Sequence, residues 1–104
     1  MLKKIFKFSI GTIENKITMP EGAQILSCDF QDDDLVVWAL VDVERTKEEA
    51  VIFDCVFTGQ ACNHIKIAKR KPYAVASKST HEFIGTATNR FGIVVHVFKV
   101  IETE

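Results

Sequence analysis

Apolar and polar residues alternate along most of this chain, the periodicity of β-strands with one wet face. In the first segment Leu2, Phe6, Phe8 and Ile10 share a face, with Lys3, Lys7 and Ser9 opposite. Gly11 and Thr12 supply a turn, and Ile13, Ile17 and Met19 then alternate with Glu14, Lys16 and Thr18. These two runs read as the arms of a β-hairpin. Pro20-Glu21-Gly22 is a turn, because Pro presets φ and Gly takes a positive one. A third strand is predicted over 23–31, with Leu26, Cys28 and Phe30 on one face. Asp32, Asp33 and Asp34 repel one another and mark a solvated tip.

Leu35 to Val41 is apolar on both faces. That strand is predicted to lie inside a sheet, covered on both sides, with Trp38 in the core. A charged connection follows over 42–49, where Thr46 and Glu49 have capping-box spacing, enough for at most a short helical turn. The next strand, 50–57, points Val51, Phe53, Cys55 and Phe57 to one side. Residues 60–81 are the least regular stretch, and Pro72 excludes a regular helix or central strand there. Two last strands, 82–88 and 91–100, are predicted to join at Asn89-Arg90 in a two-residue hairpin turn, with Ile93, Val94 and Val95 buried. About seven or eight short strands without a long amphipathic helix imply an all-β, mainly antiparallel fold, a small sandwich or open barrel. A length of 104 residues suits one such domain, 1–104.

Charge changes the picture by exclusion. Thirteen Lys and Arg against 14 Asp and Glu give a formal charge of −1, so bulk attraction to nucleic acid or anionic lipid is not expected. The chain has no apolar run long enough for a membrane span or an export signal, which makes the cytoplasm the expected compartment. The cysteines Cys28, Cys55 and Cys62 are odd in number and form no C-x-x-C pair, so reduced thiols are expected.

The chemistry-bearing residues do not assemble into a signature. Cys55, Asp54, His81 and His96 offer a nucleophile, bases and an acid, but Cys55 and Asp54 point to opposite faces of one strand. Cys55 reads instead as a buried structural thiol. Cys62 and His64 have ligand-like separation but lack two further partners. The Asp32–Asp34 tip lacks the alternating ligands and closing Glu of a calcium loop. No catalytic residue, metal or cofactor is therefore assigned. Lys66, Lys69, Arg70 and Lys71 beside Tyr73 form the basic cluster with an adjacent aromatic, a set that holds phosphate or steers an acidic partner. These five are the candidate binding residues. Trp38 and His96 are the alternative, as the wall of a ligand pocket.

One resemblance covers most of the chain. The run Met19 to Leu26, Gln31, and Leu35 to Asp42 with its Trp38-Ala39-Leu40-Val41-Asp42 are similar to a family of small phage and prophage proteins. So are Phe57-Thr58-Gly59, Phe83-Ile84-Gly85-Thr86 and Val95-His96-Val97-Phe98. The stretch 60–81 is longer than that family leads one to expect. The resemblance implies a β-rich fold and a phage setting, and no catalytic residues. The expectation is a non-enzymatic accessory protein that binds a host protein in the host cytoplasm, in takeover or anti-defence. The alternatives are a binder that sequesters a nucleotide-like signal, and a minor virion or assembly component. Edge strands offer a route to a homo-oligomer.

Overall fold

The structure is a computed structural model that describes residues 1–11, 15–67 and 79–101. Seven strands account for the regular structure of the described residues: β1 (Lys3–Ser9), β2 (Lys16–Pro20), β3 (Gln24–Gln31), β4 (Asp34–Asp42), β5 (Glu48–Phe57), β6 (His81–Thr88) and β7 (Val94–Val100). They form two antiparallel sheets, a three-stranded one in the order β1-β4-β3 and a four-stranded one in the order β2-β5-β7-β6. The sheets pack like a sandwich and do not close into a barrel. The all-β fold expected from the alternation is thus observed. The described residues contain no helix, and 43–47 form a turn in which the Asp42 carboxylate accepts the Glu44 amide at 3.0 Å.

Parity explains the core. Leu35, Val37, Ala39 and Val41 of β4 face Val51, Phe53 and Cys55 of β5 and Val95 and Val97 of β7, with Met19 and Ala87 completing one buried cluster. Both predicted interior strands lie inside a sheet, β4 between β1 and β3, β7 between β5 and β6. The opposite parity of β4 differs from expectation. Val36 is buried, but Trp38 and Leu40 are only half-buried, on the face turned away from the core. A Lys7–Gln31 hydrogen bond joins the flanking strands across β4 on the Val36 side. Among the described residues, no second layer covers the rest.

Three further expectations are corrected. β1 and β2 are not hairpin partners: β1 pairs with β4, from Lys3 opposite Asp42 to Ser9 opposite Val36, and β2 pairs with β5. Both are amphipathic, and alternation says which face is wet but not which neighbour is paired. In β3 the register slips between Ile25 and Ser27, so Ile25, Cys28 and Phe30 pack on the core while Leu26 is exposed. The β6–β7 connection runs over 89–93. There the Asn89 side chain accepts the amides of Phe91 and Ile93, and Gly92 supplies the positive φ of 83°. The turn thus closes past Arg90, and Ile93 is exposed.

Two other turns follow their chemistry. Gly22 takes a φ of 84° while Ala23 N–H donates to the Pro20 carbonyl. Asp32 and Asp33 sit at φ 51° and 69° between the paired ends Gln31 and Asp34. A positive φ at both central residues gives a turn twisted to suit a two-residue hairpin, which Asp tolerates better than most residues.

Candidate functional site

The outer face of the four-stranded sheet carries a cluster of two histidines and a carboxylate among the described residues. Asp54 has the parity opposite to Phe53 and Cys55, so it leaves the core. After β5, Gly59 takes a φ of 89° and the chain turns back over this face. Residues 64–67 then run beside the start of β6, with an isolated bridge between Ile67 and His81. The Lys66 carbonyl accepts the amides of Thr80 and His81 at 2.8 and 3.1 Å. This return brings His64 and His81 to one carboxylate oxygen: Asp54 Oδ2 lies 2.8 Å from His64 Nε2 and 3.1 Å from His81 Nε2.

The cluster is graded in exposure. The side chain of His81 is 6% exposed, that of Asp54 30% and that of His64 58%. The His81 ring meets His64 edge-on at 5.7 Å and Phe98 edge-on at 6.1 Å, and Phe98 leans on Phe83 at 5.5 Å. On its other side His81 Nδ1 lies 2.6 Å from Thr80 Oγ1. That hydroxyl oxygen also accepts the Lys66 amide at 2.9 Å and faces the His64 and Lys66 carbonyls at 3.3 and 3.4 Å. Two imidazoles and a carboxylate are a donor set of the kind that holds a transition metal.

The described residues include only part of the set singled out from sequence. Lys66 is exposed, while Lys69, Arg70, Lys71 and Tyr73 lie outside the described residues. Trp38 and His96 occupy outer faces of different sheets, so they do not wall one pocket. His96 is instead tied by hydroxyls at both ring nitrogens, Thr58 at 2.8 Å and Thr86 at 3.0 Å. Cys55 is buried, as its row of β5 predicts, and accepts the Asn15 side-chain amide at 3.4 Å. Cys62 does not join His64, whose partners are Asp54 and His81. Sequence reading named all three members of the cluster, but in two separate sets. The parity of Asp54 was the one available signal that it faces away from Cys55.

A shallow cleft of about 480 Å³ lies at one end of the molecule, lined by Phe30, Asp32, Asp33, Thr88, Asn89 and Arg90. Arg90 is held by Asp33 at 2.9 Å. Two carboxylates around one guanidinium leave no net attraction for a phosphate, so the cleft is ill suited to a nucleotide. Elsewhere, β1 forms one edge of the three-stranded sheet, and among the described residues no strand pairs with its other side. Its sequence is KKIFKFS and six of its seven residues are exposed.

A model of a domain of unknown function, DUF7352, matches residues 1–104. The chain belongs to this family. No curated protein and no solved structure matches this DUF7352 chain. Among the described residues, no helix is long and apolar enough to cross a membrane.

Proposed function

We propose that this DUF7352 protein acts by binding, without a catalytic step, and that β1 is the strand it offers to a partner protein. The single observation that supports this is the exposed edge itself. Ile5 and Phe6 are 58% and 43% exposed, and Lys3, Lys4 and Lys7 surround them. Unpaired backbone groups along an edge add a strand from another chain, and alternate side chains then select which one. Three lysines select against a second copy of this chain. In an antiparallel self-pair centred on Ile5, Lys3 would face Lys7, and like charges opposite one another are destabilising. The same lysines fit an extended segment that alternates acidic and apolar residues. The resemblance to small phage and prophage proteins supports a host protein as that partner, and takeover or anti-defence inhibition as the role.

The test compares the native chain with one carrying Lys3→Glu, Lys4→Glu and Lys7→Glu. Exposed charges contribute about 0–1 kcal/mol each to folding, so the melting temperature should hardly move. The partner recovered by cross-linking in cells should be lost at least about tenfold with the reversed charges. In the native complex, the β1 amides should gain protection from hydrogen exchange. If the folded, charge-reversed chain keeps the partner and the β1 amides exchange as in the free chain, β1 is not the binding strand.

A further inference from the structure

We infer that Asp54, His64 and His81 form a binding site for a divalent transition-metal ion, with zinc the best-fitting class, on the outer face of the four-stranded sheet. The inference is independent of the β1 edge. It rests on convergence. Two imidazoles from positions 17 residues apart aim the same ring atom, Nε2, at the same carboxylate oxygen, and the three donor atoms lie within 4.8 Å of one another. Ligands that share one tetrahedral zinc ion at about 2.0–2.2 Å stand roughly 3.3–3.6 Å apart. The Asp54–His distances of 2.8 and 3.1 Å are hydrogen-bond contacts that must open by a few tenths of an ångström to reach that spacing. A small swing of the exposed His64 ring makes room for the ion.

Thr80 lets the cluster take an ion without losing a hydrogen bond. Without a metal, each histidine donates Nε2–H to Asp54, and the Thr80 hydroxyl donates to His81 Nδ1. With a metal, His81 Nε2 must present its lone pair, so the ring proton moves to Nδ1. Thr80 serves that tautomer equally well. Its oxygen accepts from His81 Nδ1–H and the Lys66 amide, and its hydrogen turns to the His64 or Lys66 carbonyl. Metal-bound histidines characteristically donate the second ring nitrogen to such a partner, which fixes the ring and the tautomer. Packing against Phe98 holds the His81 ring in place beside Asp54. The half-exposed side, between Asp54 and His64, leaves the remaining coordination position to water.

Titration of the metal-free full chain with Zn²⁺, and with Co²⁺ as a spectroscopic probe, tests the site. One ion per chain should bind, and the melting temperature should rise with free Zn²⁺ by mass action. Because His64 is exposed, His64→Ala should fold normally, bind at least about tenfold more weakly and lose the Co²⁺ visible absorption. Thr80→Val should weaken binding by roughly 10–100-fold, and Thr80→Ser should restore it. Cys62→Ser should change nothing. Absence of saturable one-to-one binding overturns the proposal and leaves a hydrogen-bonded cluster. So does a folded His64→Ala chain that binds as tightly as the native one, since the ion would then sit elsewhere.

Discussion

The outer faces of the two sheets are finished differently. On the four-stranded sheet the connection after β5 folds back, and Val56, His81 and Phe98 beneath it are buried although they face away from the shared core. On the three-stranded sheet nothing comparable returns among the described residues: Trp38 and Leu40 are half-buried, and Ile5 and Leu26 are exposed. One sheet has spent its outer apolar residues on a second, smaller cluster that positions Asp54 and the histidines. The other keeps an apolar face and a lysine-marked edge toward solvent. A covered face suits fixed polar geometry, because neighbours hold each ring in place. An open edge suits recruitment of another chain.

The largest expected effect measures this asymmetry directly. Phe98→Ala removes a ring that is 8% exposed and that supports both Phe83 and His81. It should cost about 3–5 kcal/mol, the range for emptying a buried aromatic site. Trp38→Ala removes a larger ring whose surface is already part-wet. It should cost only about 2 kcal/mol, because less area returns to water. Urea midpoints of the two variants decide the matter. Equal losses would mean that the outer face of β4 is as well covered as that of β7.

What was legible in the sequence follows the same divide. The inward rows, Leu35-Val37-Ala39-Val41 and Val51-Phe53-Cys55, were readable because period-two alternation reports burial on a single strand. The outward rows were not, because cover from another segment leaves no local trace. Trp38 read as core yet is only half-buried, whereas Phe98, also on an outer face, is covered. The Asp54–His64–His81 cluster needed three facts: the β5–β7–β6 order, the Lys66–His81 return and the outward parity of Asp54. Only the last was in the sequence. The bulge at Leu26 and the turn at Gly92 each shift a register by local backbone geometry, which an alternating pattern does not encode.

The seam between the sheets offers a smaller effect. β3 and β6 run side by side there, and a Cβ placed on Gly85 would stand 3.1 Å from Cys28 Sγ. That is tighter than ordinary packing, so Gly85→Ala must push the thiol or the strand aside. A cost of about 1–3 kcal/mol is expected, the usual range for overpacking. In a Cys28→Ala background the sulfur is gone, and the same substitution should cost less than about half as much. Purely additive losses in the double-mutant cycle would show that Gly85 is needed for its backbone and not for the close approach of the sheets.

The thiols give the smallest effect and separate covered from open positions by chemistry. None of the three is bridged: Cys55 is buried, Cys28 half-buried and Cys62 exposed. Burial, then the Asp29 charge and the neighbouring Cys55, push the Cys28 thiol up to about 11. Burial also raises Cys55, with Asp54 adding to the rise and the Asn15 hydrogen bond partly opposing it. The thiolate is the form that reacts. At pH 8 about one Cys28 in a thousand is ionised, so alkylation of the native chain should label Cys62 first, Cys28 slowly and Cys55 only on opening. Unfolding in denaturant should expose all three at similar rates. The same shift has a sign for stability. The unfolded Cys28 loses its proton near its ordinary value of 9.0, whereas the folded one holds it to about 11. The folded state therefore binds more protons across that window, and its stability falls as pH rises from 9 to 11. Below pH 9 both states keep the proton and the contribution is constant. Half-exposure of Cys28 keeps the change small, and Cys28→Ser should flatten part of the decline in urea midpoint between pH 8 and pH 10.5. If native Cys28 is alkylated as fast as Cys62 at pH 8, the seam between β3 and β6 is open in solution, and the distinction between covered and open positions fails at that point.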